Sequence, residues 1–511
     1  MNIIRKTRLW LIVLITLVAV CPAQEQINPH IEKSNIVETI LSDKSSFFYL
    51  DTRNYPTQNE KLPIGIFDSG TGGLTILEAI VNLDQHNNKT HCLKKNGDGL
   101  KDFQKEYFIY LGDQANMPYG NYAALNKTAL LKEHIIKDVQ FLLGNKYYLN
   151  ADANTYKTDK EPVKTIVIAC NTATAYGKTD IEKFIQKAGL NINVIGVIDA
   201  AVKAALSSFD SDQNGTIAVM ATAGTVASEG YVKTFNTQKV AMNYTGQIKI
   251  FQQAGLGLAG AIDGSAEYIA TDAVIPRAEY KGPSENNADA KIELSILQRY
   301  GFDWSKNKML FDGTAEKPEN LQINSIENYI DYHLVSLMEK IRKTADPKKL
   351  KAIIFGCTHY PFYSEVFRSK IEKLYNYREN GEYLYQPFMA KEIELIDPAF
   401  NTAKQLYEHL VNCHLLGDEN LYKSQFYLSV PNKSNEHIQV DSSGNFTYEY
   451  KYGRSAGLAQ QYVRRVPFSK KCISPDVLRR LSEKVPSTFE LISKFNRNNP
   501  KTSALKKDER I

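Results

Sequence analysis

The chain has 511 residues, 43% of them hydrophobic and 23% charged, with a formal net charge of +5. This is an ordinary globular balance, with length for two or three domains and a sizeable core. The basic residues are spread along the chain, which argues against a nucleic-acid footprint and predicts no nucleic-acid partner.

Arg5, Lys6 and Arg8 precede an apolar run from Leu9 to Val20, followed by Cys21-Pro22-Ala23 and a polar stretch. A charged start, a short apolar stretch and a small residue before the break describe a cleavable signal peptide over residues 1–23. The run is too short to span a bilayer comfortably, so no stable membrane span is expected. A lipid anchor at Cys21 is the less favoured reading, because bulky Val20 stands where a lipoprotein signal wants a small residue. The expected location is therefore outside the cytoplasm, periplasmic or secreted. Six cysteines are encoded, and removal of the leader leaves Cys92, Cys170, Cys357, Cys413 and Cys472. That odd number is not a disulfide framework, and Cys92, Cys413 and Cys472 allow at most one internal bridge if Cys170 and Cys357 stay reduced.

Residues 24–61 are polar and mixed, and read as an N-terminal extension. From Pro63 the pattern changes to short apolar runs: Ile64–Phe67, Tyr107–Leu111, Thr165–Ala169, Val194–Ile198, Thr216–Ala221 and Ala352–Phe355. Runs of this length, apolar on both faces, are what strands buried in a parallel sheet look like. Helical patterns such as Leu74–Val81 and Leu130–Leu143 lie between them. The predicted class is α/β with parallel sheets. Residues 82–106, 146–162, 275–325, 376–390 and 415–455 are polar and read as inserted loops, which cost modest entropy to accommodate.

In parallel α/β sheets, ligands gather at the carboxyl ends of strands. Five polar constellations fall there: Asp68-Ser69-Gly70 with Gly72 and Gly73; Gly112-Asp113 leading to Pro118-Tyr119-Gly120; Cys170-Asn171-Thr172-Ala173; Thr222-Ala223-Gly224-Thr225-Val226; and Gly356-Cys357-Thr358-His359-Tyr360-Pro361. Each has a bland reading. A cysteine closing an apolar strand is usually a small buried hydrophobe, and Asp-Ser-Gly is a common turn. Cys357 and His359 make only two potential ligands with no second pair, so no metal is expected. Their joint occurrence, two thiols and several hydroxyl, amide and carboxylate groups at strand tips of one fold, favours a site.

These blocks, with Gly65-Ile66-Phe67, Gly196-Val197-Ile198 and Ile396-Asp397, stand in the order found in glutamate racemases, and the chain resembles that family from about residue 62 to 410. The resemblance implies two similar α/β domains facing across a cleft: 62–198 and 199–396, with 397–511 returning to the first and extending beyond it. It implies a cofactor-independent isomerase that interconverts L- and D-glutamate, with Cys170 and Cys357 as opposed acid and base. A helix N-terminus after each strand is expected to lower the thiol pKa. Asp68 and Ser69 would hold the amino end of the substrate. Asn171, Thr172 and Thr358 would bind its carboxylates, helped by the Tyr119-Gly120 backbone and Thr225. His359 would assist proton traffic at the second thiol. Aspartate or another small acidic substrate is the alternative within the enzyme class, and an exported amino-acid-binding protein without catalysis is the alternative outside it. Two retained thiols favour catalysis.

Three departures stand out. The family's members are cytoplasmic and supply D-glutamate for peptidoglycan and cell-wall biogenesis, whereas an export signal is expected at the start of this chain. The acidic group that precedes the second thiol is reduced to Asp263. The chain is nearly double the family's usual length, and the inserts bear on whether it forms the homodimer common among relatives.

Overall fold

A computed structural model describes residues 35–56, 59–315 and 317–511; the expected signal peptide and the Cys21 anchor position lie outside the described residues. Two sheets organise the chain. The first runs, edge to edge, Val463–Pro467, Gln425–Pro431, Phe108–Gly112, Ile64–Asp68, Thr165–Ile168 and Asn193–Gly196. All neighbours are parallel except the Gln425–Pro431 and Val463–Pro467 pair. The second sheet is wholly parallel and runs Met389–Ile396, Leu350–Gly356, Gly215–Ala221 and Ile248–Ala254. The protein is thus α/β with two parallel-sheet lobes, and its C-terminal segment returns to the first sheet.

The burial follows from the sequence. Strands Ile64–Asp68, Phe108–Gly112, Thr165–Ile168 and Gly215–Ala221 are buried at every position, as the unbroken apolar runs require. Alternate side chains of the second sheet serve two cores: Ile217 and Val219 join the large core of the first lobe, while Ala218 and Met220 face a second core with Leu334, Leu337 and Met338. Among the described residues, no helix is long and apolar enough to cross a membrane.

Several expectations need correction. The run Val194–Ile198 does not continue as a strand: Gly196 caps a helix, Val197–Ser207, with Asp199 in its first turn. An acidic residue there favours the helix dipole. The stretch 415–455 is not one inserted loop, because Gln425–Pro431 is an interior strand. Its polar residues hid it from an apolar-run search, yet each is satisfied: Tyr427 Oη donates to Gln425 at 2.8 Å, and Ser429 Oγ accepts from Ala115 N at 3.0 Å. Residues 275–325 end in a hairpin, Met309–Thr314 with Lys317–Ile323, that buries Leu321 and Ile323. The described part of the N-terminal extension is no loose tail, since Ile36, Ile40 and Phe48 join the first core.

Candidate active site

The first thiol turn is built by close approach of two strands. A β-carbon at Gly73 would lie 2.6 Å from that of Asp68 and 2.8 Å from that of Ala169, so only glycine fits. Asp68 ends its strand, and its Oδ2 accepts from Gly70 N at 3.1 Å and Gly73 N at 2.9 Å. Cys170 is the N-cap of helix Asn171–Lys187, its Sγ accepting from Ala173 N at 3.4 Å. Ser69 Oγ lies 3.8 Å from the same sulfur. The thiol is only 7% exposed. Burial pushes it up to about 12, and the Asp68 carboxylate adds to the shift in the same direction. The expected lowering by the helix N-terminus is therefore overturned at Cys170: desolvation and a neighbouring anion outweigh it. Burial also raises Asp68 itself, against the backbone N–H groups that favour its charged form.

The second turn has a different chemistry. Cys357 follows strand Leu350–Gly356 and is 6% exposed. Its Sγ lies 3.3 Å from His359 Nδ1, and His359 Nε2 lies 3.3 Å from Asp263 Oδ1. Burial works against the imidazolium, but the hydrogen bonds to Asp263 and Cys357 win and raise His359 to about 10. Burial likewise pushes the Asp263 carboxyl upward, and His359, Arg480 and Lys484 together bring it below its ordinary value. At neutral pH, this turn holds an imidazolium between the Asp263 carboxylate and the Cys357 sulfur.

Asn171 joins the two turns. Its Nδ2 lies 3.4 Å from the carbonyl of Gly356, the residue before Cys357, and its Oδ1 accepts from Tyr231 Oη at 3.0 Å. The hydroxyls of Thr172 and Thr358 take no partner among the described residues. Thr225 is buried, and its hydroxyl is engaged by Thr222 Oγ1 at 3.1 Å. The Tyr119 phenol is engaged elsewhere, 2.6 Å from both Asp113 and Asp138, and Tyr119 caps the short helix Gly120–Ala124. A phenol has one proton, so a carboxyl supplies the other. Burial and the neighbouring Asp113 raise Asp138 far above its ordinary value, against the Arg465 guanidinium at 3.1 Å. A cavity of about 240 Å³ lies beside the thiols, lined by Ala169, Asn171, Phe355, Thr358, Asp397 and Lys484. Neither sulfur lines it.

Two residues of this arrangement escaped the sequence reading. Tyr231 sits in a helix, Gly230–Ala241, whose pattern announces only a buried aromatic. Arg480 lies in the C-terminal extension, where it reads as a surface charge; its 3.4 Å approach to Asp263 Oδ1 is a tertiary fact.

No family model matches the chain. A glutamate racemase of Clostridium novyi is 27% identical over 352 residues, 69% of this chain and 84% of the relative. One from Lactobacillus johnsonii is 32% identical over 171 residues, 34% of this chain and 47% of its own, and one from Neisseria gonorrhoeae is 33% identical over 171 residues, 34% and 46%. In those two alignments the chain spans about half the length of the relatives. Among solved structures, a glutamate racemase isoform of Bacillus anthracis is 20% identical with a TM-score of 0.41, covering 72% of this chain and 88% of that one. The glutamate racemase of Aquifex pyrophilus is 20% identical with a TM-score of 0.33, covering 77% and 96%. With the curated relatives and the two-lobed α/β fold together, the chain is similar to glutamate racemases, which are amino-acid racemases.

Proposed function

We propose that this protein interconverts L- and D-glutamate by a two-thiol proton transfer, without cofactor, and that it does so outside the cytoplasm. The observation that carries the reading is the Asn171 bridge, which brings the Cys170 turn to within one residue of the Cys357 turn. The names of the relatives support glutamate as substrate.

The charges suggest the resting proton state. Cys170 is a thiol, and the Cys357 sulfur lies 3.3 Å from the imidazolium of His359. In one direction, Cys357 Sγ takes the α-proton: the C–H bond breaks and an S–H bond forms. Cys170 Sγ–H then delivers its proton to the opposite face, forming the new C–H bond and inverting the carbon. The enzyme is left with the thiolate on Cys170, ready for the other enantiomer. The free hydroxyls of Thr172 and Thr358, with Asn171, suit the substrate carboxylates; Asp68 and Ser69 suit its ammonium group. A carbanion beside a carboxylate needs directed hydrogen bonds in a dry cleft, and burial of both sulfurs meets that requirement. The same burial would shield the thiols from oxidants in an exported setting.

Incubation of the mature protein with each enantiomer of glutamate and of aspartate in D₂O tests this. Loss of circular dichroism together with α-deuteration of glutamate is the expected result. Racemisation of aspartate alone would move the substrate, and neither racemisation nor exchange with any of the four would leave only a binding protein. Recovery of the protein from the culture medium or periplasm, beginning at residue 24, tests the location.

A further inference from the structure

The C-terminal segment reaches from one lobe to the other. Helix Pro486–Asn498 is bolted to the first lobe: Glu78 accepts from Ser487 N at 3.2 Å and Thr488 N at 2.7 Å, and Leu491, Ile492 and Phe495 are buried. An anion at a helix N-terminus is a favourable anchor. Buried Val485 joins this helix to a shorter one, Pro475–Lys484. The short helix points its inner face at the second lobe. Arg480 Nη1 lies 3.4 Å from Asp263 Oδ1, and Lys484 Nζ lies 5.2 Å from the centre of the Phe362 ring. On its outer face, Arg479 pairs instead with Glu483 at 3.4 Å.

We propose that Arg480 is a positioning residue for the second thiol, reaching across from the first lobe to hold Asp263 against His359. One carboxylate oxygen serves both partners: Asp263 Oδ1 receives His359 Nε2 and Arg480 Nη1. Asp263 ends a short helix, Leu258–Ile262, and its side chain is 30% exposed. Without the guanidinium, the carboxylate is free to turn to water and leave the imidazolium unheld. Loss of a nearby cation and loss of alignment both disfavour the Cys357 thiolate, so their effects share one sign. The groups that face this relay are few. Asp263 meets His359, Arg480 and Lys484; Cys357 meets His359, with Tyr231 and Tyr360 beside it. The pair also ties the lobes, because the short helix hangs from the first lobe while Asp263 belongs to the second.

The inference rests on the racemase reading only for its kinetic arm; thiol reactivity tests it separately. Iodoacetamide alkylation of the full chain is followed across pH by peptide mass spectrometry. In Arg480→Ala, the Cys357 profile moves to higher pH by roughly half a unit, while the Cys170 profile stays in place. Arg480→Lys restores most of the shift, and Arg479→Ala leaves both profiles unchanged. Racemisation by Arg480→Ala falls roughly fivefold in kcat/KM, the scale of one half-exposed ion pair. An unchanged Cys357 profile in Arg480→Ala overturns the proposal, as does an equal shift in Arg479→Ala, which would assign the effect to the helix. If the parent shows no racemisation but the thiol profile shifts as stated, Arg480 keeps its role and the racemase reading falls.

Discussion

Cys170 and Cys357 end corresponding strands in the two lobes, and their surroundings carry opposite charge. Cys170 stands beside Asp68 and is raised to about 12, whereas Cys357 stands 3.3 Å from an imidazole raised to about 10. Both sulfurs are buried to a similar degree, so desolvation alone does not separate them. The neighbours do. An anion next to a thiol holds its proton, and a cation next to a thiol releases it. Two similar strand tips thus stand in opposite charge environments, which suits the acid and base of the proposed inversion.

The largest expected effects come from removing either sulfur. Cys170→Ser and Cys357→Ser each lower racemisation by roughly 10³-fold or more, measured by circular dichroism with both enantiomers. A variant that still racemises at the parent rate would remove its thiol from the mechanism.

His359→Asn comes next. It lowers kcat by roughly 10²-fold and moves alkylation of Cys357, not Cys170, to higher pH. The same residue sets a pH limb. His359 is raised from 6.5 to about 10, so its contribution to stability is complete below pH 6.5 and is lost as pH rises towards 10. The imidazole is about one-third exposed, which keeps that contribution small. Thermal melts should show the parent losing stability over that window relative to His359→Asn.

Asp68→Asn probes the other side and has the opposite sign. Removing the anion lets Cys170 alkylate at lower pH, while Cys357 is unmoved. The neutral amide is also a weaker acceptor for Gly70 N and Gly73 N, at a cost of about 1 kcal/mol in urea unfolding. A Cys170 shift to higher pH would contradict the assigned electrostatics.

The smallest effect lies in the wall beneath the first turn. Asp138→Asn keeps an acceptor for Arg465 Nη2 and a polar partner for Tyr119, and should change stability by less than about 1 kcal/mol near pH 5 in the same unfolding measurement. Asp138 is raised in the folded state, so its contribution to stability declines as pH climbs above its ordinary 3.8. The amide variant flattens that decline.

Much of the architecture was legible from the chain alone. A strand buried on both faces must be apolar throughout, and a polar group that ends it is conspicuous; hence the α/β class and both thiol turns could be read directly. Asp263 was marked as an acidic group ahead of the second thiol, but not as the partner of His359. Strand Gln425–Pro431 escaped because polar side chains break its apolar run, and Ser429 finds its donor in the distant Ala115 N. What the tertiary structure decided was charge. The Asp263–His359–Cys357 relay, the Tyr231 clasp on Asn171 and the reach of Arg480 from the C-terminal helix all join segments far apart in the chain. Electrostatics depends on distance in space and on burial, and neither is written into local sequence. The sequence by itself named the two sulfurs; only the fold assigned them opposite neighbours.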